Sequence, residues 1–196
     1  PRLLAEDPTF SSDPALGVSY LLFNMDADPT NNLALRKALT LAIDRSMITE
    51  QILRNGSVPA AAFVPTPFKL SNGESMRALD ENGNVMEEYE IDPYSAKVEE
   101  AQAYLAEAGY PNGEGFPDLS LLYYESGNNA LIAEAIQQMW QQNLGITVNL
   151  QVQEHAVFAS TVSSSDWTVA MYGWSADYND PMTMLALFTA EGLNEP

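Results

Sequence analysis

Cysteine is absent from this chain of 196 residues, and basic side chains are scarce, with 8 lysines and arginines against 27 aspartates and glutamates. Without cysteine the chain can form no disulfide, no thiolate metal site and no cysteine nucleophile. The formal net charge of −19 argues against nucleic acid and against an anionic membrane surface as partners, because both bind clustered lysine and arginine. A cationic ligand would be attracted, although an acidic surface that keeps the protein soluble explains the charge equally well.

Long hydrophobic runs are also missing, so no segment of the sequence is apolar enough to span a bilayer. The sequence has no methionine start and no signal-like segment, and it runs from Pro1 to Pro196. We therefore expect a piece excised from a longer protein. Its hydrophobic content of 46% is enough to form a buried core.

Motifs for nucleophilic catalysis and for phosphate binding are absent as well, since there is neither a nucleophile elbow nor a glycine-rich phosphate loop. The single histidine, His155, has no metal-ligating companions at helical spacing. Residues 80–84 (DENGN) begin like a calcium loop, but Val85 and Ile91 stand where an EF-hand needs glycine and a bidentate glutamate. We therefore predict no cofactor and no metal site.

The spacing of apolar residues predicts an α/β fold with a mostly parallel, twisted sheet flanked by helices. From Leu119 onward, strand and helix patterns alternate as βαβαβα, which implies parallel pairing through right-handed crossovers. The strands are predicted at 119–124, 146–152 and 167–172, with helices at about 132–144 and 155–162.

The first half of the sequence is less regular. It predicts a linker or edge segment at 1–16, a strand at 18–23, an amphipathic helix at about 33–43, a short helix at 47–54 that Gly56 closes, and an irregular excursion at 58–83. Asp92 and Pro93 form a cap and first-turn pair, so a helix is predicted to begin there and to end at Gly109.

The loop that follows the last predicted strand is the candidate binding site. Gly173 is expected to end the strand, and Asp180 with Pro181 is expected to start the next helix. Ligands of open α/β sheets bind at loops that leave the carboxyl ends of strands. Trp174 lies beyond the predicted strand end and is expected to be exposed. Asp177 is either a solvated loop carboxylate or a partly buried anion that pairs with a ligand ammonium.

Five short motifs occur in order along the chain. They are 23–24 (FN), 35–45 (LRKALTLAIDR), 106–111 (AEAGYP), 140–146 (WQQNLGI) and 173–181 (GWSADYNDP). With them the sequence resembles the large, carboxyl-terminal lobe of the oligopeptide and dipeptide solute-binding proteins of ABC importers, which form family 5 of the bacterial extracellular solute-binding proteins. The resemblance covers the chain from about Gly17 to its end, and it implies that residues 1–196 are a single lobe of a larger two-lobe protein.

The resemblance implies a periplasmic-binding-protein-like lobe that encloses its ligand when two lobes close together, without catalytic residues. In the oligopeptide binders the aspartate of the last motif pairs with the α-ammonium of the peptide, and the matching residue here is Asp177. The resemblance also implies that main-chain groups around Gly173 and Ser175 hydrogen-bond an extended peptide. Trp174 would wall a side-chain pocket, and Tyr20 would be a ligand-facing aromatic residue.

The function implied by the resemblance is capture of an oligopeptide or dipeptide outside the cytoplasmic membrane and its delivery to a membrane permease, by reversible closure and not by chemistry. The implied partners are the peptide, the permease subunits of an ABC transporter and the missing amino-terminal lobe of the parent chain. The implied location is the periplasm, or the outer face of the cytoplasmic membrane if the parent is a lipoprotein. Some oligopeptide binders place an arginine near position 171, where it can meet the peptide carboxylate. The residue here is Met171, so this loop offers no basic anchor for a peptide carboxylate.

Two alternatives remain open. One is the same receptor fold holding another solute, such as a nickel chelate or an oligosaccharide. The other is a hydrolase that uses Asp177 and Asp180 as a carboxylate pair. The capping role expected of Asp180 argues against the hydrolase, because a capping carboxylate is already committed to backbone amides.

Overall fold

The fold is built on a four-stranded mixed sheet, seen in a computed structural model that describes Thr9, residues 15–164 and residues 166–189. The strands are β1 (Gly17–Phe23), β2 (Leu119–Tyr124), β3 (Val148–Gln153) and β4 (Val169–Ser175), in the spatial order β1-β4-β2-β3. β2 pairs in parallel with β3 and with β4, whereas β1 pairs antiparallel with β4. The predicted α/β class with a mostly parallel sheet is therefore confirmed.

Helices cover both faces of the sheet. They are α1 (Leu33–Leu41), α2 (Arg45–Met47), α3 (Val98–Glu107), α4 (Asn129–Leu144), α5 (His155–Ser163) and α6 (Met182–Leu185). A π-helical turn at Ile48–Leu53 extends α2, and short 3-10 turns lie at Pro111–Gly113 and Ala186–Phe188. The βαβαβα order predicted from Leu119 onward is confirmed. None of the helices in the described part of the chain is long and apolar enough to cross a membrane.

The main core lies between one face of the sheet and the helices α1, α3 and α4. Trp140 of α4 is fully buried there, and its Nε1 donates a hydrogen bond of 2.8 Å to the carbonyl oxygen of Leu39. Leu39 belongs to the last turn of α1, where carbonyl groups have no partner inside the helix. One side chain thus fills the core and satisfies a helix end at the same time.

The rest of the α1 carboxyl end is satisfied by the nearby Arg45 and by groups from two distant parts of the chain. The Arg45 guanidinium donates to the carbonyls of Thr40 and Ile43, Asn143 Nδ2 donates to that of Ala42, and the Lys97 amide donates to that of Leu41. Burial lowers the pKa of Arg45 to about 10, although the nearby carboxylates of Asp44 and Asp92 act to raise it. The end of α1 is a junction at which three segments of the chain are held together.

Several predicted boundaries in the first half are wrong. The third helix begins at Val98 instead of Asp92, because the Asp92 carboxylate accepts hydrogen bonds from the Tyr94 amide and the Ser95 hydroxyl in a tight turn. The turn after α2 ends at Arg54 and not at Gly56, and Arg54 adopts the left-handed conformation (φ 48°). The excursion at 58–83 is irregular as predicted, with isolated bridges where strands would otherwise form. The linker predicted at 1–16 lies almost entirely outside the described residues.

Two glycines allow the main chains at the ends of α3 and α4 to pack closely at the edge of the core. Gly113 and Gly145 both have positive φ, and a Cβ at either position would lie 2.8 Å from a backbone oxygen of the other segment. Such contacts admit no side chain. The turn after α3 therefore packs main chain against main chain on the end of α4, which fixes α4 beneath the sheet.

Candidate functional site

The carboxyl end of β4 pairs with a strand on one side, where β1 runs beside it. The Ala176 amide donates to the Leu16 carbonyl, and pairing with β1 continues in register from Gly17 opposite Ser175. In an antiparallel pair, alternate residues point their N–H and C=O groups at the partner strand, and the residues between them point the other way. The main-chain groups of Met171, Gly173 and Ser175 therefore face away from β1.

Among the described strands, none lies beside Gly173 and Ser175 on the side of β4 that faces away from β1. β2 pairs with β4 only at Val169 and Ala170. That register leaves Gly173 and Ser175 beyond the end of the pairing, and among the residues that the structure describes no strand pairs with them on that side. We call Gly173 and Ser175 the open edge. Unpaired strand edges are templates for another extended chain, because each offers a row of donors and acceptors at strand spacing.

Two expectations about this region are wrong. Gly173 does not end the strand, since β4 continues to Ser175 through its pairing with β1. Trp174 is not exposed, because it lies within the strand and packs partly buried beside the cluster of Val64, Phe68 and Met184. The strand is longer than expected because its partner, β1, is supplied by a segment about 150 residues earlier in the chain.

Asp177 lies just beyond the open edge and is exposed. Its backbone amide donates to Thr183 Oγ1 at 3.0 Å, and the Thr183 hydroxyl lies 3.4 Å from Asp177 Oδ2. Within the described part of the chain, no lysine or arginine forms an ion pair with this carboxylate. The loop thus presents a carboxylate that Thr183 holds in place and that has no cation of its own.

Thr183 is a site residue that the sequence reasoning missed. It is 4% exposed, at the start of α6, and nothing in its sequence spacing from Asp177 indicates the contact. Replacing Thr183 by valine keeps the shape and removes the hydroxyl, so we expect ligand affinity of the full-length protein to fall about three- to tenfold. Calorimetry would measure this fall. Thr183→Ser should restore the affinity, and an equal loss with serine would contradict a role for the hydroxyl.

Asp180 has a structural role, as expected. Its carboxylate accepts a 2.8 Å hydrogen bond from the Met182 amide, and its carbonyl accepts one from the Thr183 amide. Pro181 occupies the cap position of α6, one residue later than the sequence suggested. Because the Asp180 carboxylate serves the helix start, it is poorly placed to act with Asp177 as a catalytic pair.

Tyr20 shares a sheet face with Trp174. The register places Tyr20 opposite Tyr172 and Val18 opposite Trp174, so these side chains project on the face away from the main core. The Tyr20 ring packs edge-on against Phe63 at 4.9 Å and against Tyr172 at 6.1 Å. Burial, together with neighbouring Tyr172, raises the pKa of Tyr20 to about 12. The hydroxyl is therefore protonated at any physiological pH.

A cleft of about 630 Å3 lies on the other side of the loop. It runs between residues 67–71 with Met76 and the segment Asn179 to Pro181, and its charged groups are Lys69 and Asp180. Asp177, Trp174 and Tyr20 do not line it. The five residues expected from the sequence therefore gather around the end of β4 and not in this cleft.

Metal-binding geometry is not present among the described residues, where no three histidine, aspartate or glutamate side chains come together. The Asp80 carboxylate, which begins the calcium-like segment, accepts hydrogen bonds from the amides of Asn82 and Asn84. His155 is exposed and packs edge-on against Tyr124. Each group that suggested a metal is thus engaged in local structure.

Comparison with known proteins relates this geometry to a family. The sequence profile described as bacterial extracellular solute-binding proteins, family 5 (middle region), matches residues 3–195. The chain is 33% identical over 185 residues to the oligopeptide-binding protein OppA of Bacillus subtilis, an alignment that covers 94% of this chain and 32% of that protein. It is also 33% identical over 188 residues to the periplasmic murein peptide-binding protein MppA of Escherichia coli, covering 90% and 31%.

Solved structures give the same relationship. The murein tripeptide-binding protein MppA of E. coli superposes with a TM-score of 0.79 at 32% identity, over 98% of this chain and 36% of that one. Haemophilus influenzae OppA in complex with the peptide RPPGFSPFR superposes with a TM-score of 0.77 at 30% identity, over 92% and 34%. The chain spans about a third of the length of the curated relatives it matches. On this evidence the chain belongs to family 5 of the bacterial extracellular solute-binding proteins.

Proposed function

We propose that this chain is the part of a peptide receptor that holds the main chain and the amino terminus of an extended peptide. The observation that carries the proposal is the open edge of β4, which ends beside the Asp177 carboxylate, a group with no ion-pair partner among the described residues. The relatives named for binding oligopeptides and a murein peptide support the same class of ligand.

The open edge supplies sequence-independent affinity. The N–H and C=O groups of Gly173 and Ser175 would pair with the ligand backbone as a neighbouring strand does. Gly173 adds no side chain there. Its backbone does not require glycine, because a Cβ would lie 3.5 Å from the Val18 carbonyl oxygen, an ordinary contact distance. Trp174 would form part of the wall beside the ligand side chains, and Tyr20 would lie deeper on the same face.

Asp177 supplies the charged anchor. A peptide amino terminus carries an ammonium group, and pairing with a carboxylate is the charge-assisted contact that selects it. Three features suit Asp177 to this role. It lies just past the open edge, it is hydrogen-bonded to Thr183, and no lysine or arginine among the described residues pairs with it. The net charge of −19 attracts the same end of the ligand.

Delivery to an importer completes the proposed function. The parent protein would lie outside the cytoplasmic membrane, in the periplasm or tethered as a lipoprotein, and would pass the peptide to the permease subunits of an ABC transporter. Its amino-terminal lobe would close over the open edge and remove water from it. The mechanism involves binding and closure, without chemistry at Asp177 or Asp180.

A backbone-methylation scan tests the proposed binding mode. In an extended peptide, alternate N–H groups point at the neighbouring strand. We therefore expect single N-methylation along a free-amine hexapeptide to lower affinity for the full-length protein at every second amide, by about fivefold or more at each. Calorimetry on the parent peptide and its five singly N-methylated forms would show this alternation. A flat profile would rule out pairing along the open edge, and tighter binding of nickel chelates or oligosaccharides would favour a different solute.

A further inference from the structure

Two hydrogen-bond donors on the sheet face beside the open edge are buried and have no partner among the residues that the structure describes. Tyr20 Oη and Trp174 Nε1 each expose less than 1 Å2, and within the described part of the chain neither finds an acceptor. A buried polar group normally has a partner, because burial removes its hydrogen bonds to water. The indole N–H can only donate, and the Tyr20 hydroxyl keeps its proton, so both groups call for an acceptor oxygen.

The two donors lie in one place on the sheet. Val18 pairs with Trp174 and Tyr20 pairs with Tyr172, so Tyr20 and Trp174 are diagonal neighbours on the same face. Phe63 joins them, because it packs edge-on against the Tyr20 ring and belongs to the apolar cluster in which Trp174 is packed.

The cover over this region includes an exposed ring. Phe188 packs edge-on against Phe63 at 4.8 Å and is itself 66% exposed. It is held on a short 3-10 turn, Ala186–Phe188. A ring that is mostly in solvent can be displaced at small cost in buried area. A side chain that displaced Phe188 and shifted Phe63 would reach the two donors.

We propose that Tyr20 and Trp174 are the donors of a covered subsite that takes a long, uncharged ligand side chain with an acceptor oxygen, as glutamine has. This inference rests on the proposed function, in which the ligand lies along the open edge. A ligand strand along the open edge would lie two strand spacings, about 9.6 Å, from β1, so only a long side chain could approach Tyr20. A carboxylate is disfavoured because the chain carries a net charge of −19 and Asp177 lies beside the edge.

The test uses the full-length protein and pentaalanine peptides that carry a single glutamine or a single methionine at each position. Methionine matches glutamine in length but lacks the acceptor oxygen. We expect calorimetry to show a preference for glutamine of about three- to tenfold at one position. Tyr20→Phe should lower that preference, because Trp174 remains as the second donor, while leaving the methionine peptides unchanged. The matched control Tyr172→Phe, one strand over on the same face, should keep the preference.

Thermal unfolding without peptide supplies an independent readout. Because Tyr20→Phe removes an unpaired buried hydroxyl, the melting temperature should stay equal or rise. A fall would mean that the hydroxyl has a partner and would overturn the inference. Equal binding of glutamine and methionine at every position, or an equal loss for both in Tyr20→Phe, would overturn it as well. If no peptide bound the wild-type protein, the proposed function itself would fail.

Discussion

Replacing Asp177 by asparagine in the full-length protein is expected to lower affinity for peptides with a free amino terminus by about 10- to 100-fold. The estimate is that of one charge-assisted pair that is desolvated on closure. Asparagine keeps the shape of the side chain and can still lie near Thr183, so the loop should stay in place. Calorimetry with one peptide in free and N-acetylated forms would measure the change. The acetylated form should bind the wild-type protein and the variant equally.

Asp180→Asn is the matched control for this experiment. It makes the same change of charge three residues away, and asparagine is as good a helix cap as aspartate. Affinity for both peptide forms should therefore remain within about twofold of the wild type. A comparable loss of affinity in Asp177→Asn and Asp180→Asn would mean that the overall negative charge, and not a specific pair with Asp177, attracts the ammonium. Peptide cleavage that either change abolished would instead support the hydrolase alternative.

Replacing Trp140 by alanine should lower the free energy of unfolding by about 3–5 kcal/mol, the range for deleting a large buried aromatic side chain. The side chain is fully buried among α1, α3 and α4, and its removal also leaves the Leu39 carbonyl without its donor. Urea denaturation of the chain followed by circular dichroism would measure the change. Most small domains have a total stability of about 5–15 kcal/mol, so this variant should be close to unfolding.

Trp140→Phe separates the two roles of the indole. Phenylalanine retains most of the buried ring but has no N–H group, so we expect a loss of about 1–3 kcal/mol, which is the cost of an unpaired buried carbonyl plus a small cavity. If Trp140→Phe were as damaging as Trp140→Ala, the hydrogen bond to Leu39 would dominate. If neither variant changed the urea midpoint, Trp140 would not be the anchor of α4.

The second half of the fold could be predicted from local pattern. From Leu119 onward each strand and helix is regular, and glycines such as Gly145, which has positive φ, mark the ends of elements. Local propensity and tertiary packing agree there, so periodicity locates the elements within a few residues. The sheet order could be anticipated only as far as the parallel pairs, because a crossover rule says nothing about the antiparallel strand β1.

Boundaries that depend on distant partners could not be predicted. Gly173 suggests a strand end, yet pairing with β1 carries β4 through it. The end of α1 has no capping glycine, and much of it is satisfied instead by Trp140, Asn143 and Lys97, which are remote in sequence. Asp92 has the chemistry of a helix cap but stabilises a turn. In each case long-range contacts override a correct local preference.

The candidate site was predictable in part. The motif around Asp177 indicates which loop to examine, and the structure brings Tyr20, Trp174 and the open edge to that loop. Their roles in binding stay predictions. Thr183 could not be found from sequence, because its contact with Asp177 depends on how the loop turns back onto α6.

The hydrogen-bonding pattern of the open edge repeats along the strand, which affects how a bound peptide is aligned. Strand geometry recurs every two residues, about 6.8 Å, so a peptide that slid by one such step would meet the same donors and acceptors. Main-chain pairing alone therefore leaves the alignment of a ligand degenerate. A peptide has only one α-ammonium, so in the proposed complex pairing with Asp177 would fix which peptide residue lies at each position of the open edge. Variation in ligand length would then be accommodated at the carboxyl end of the peptide, because the loop offers no positive charge to bind the peptide carboxylate.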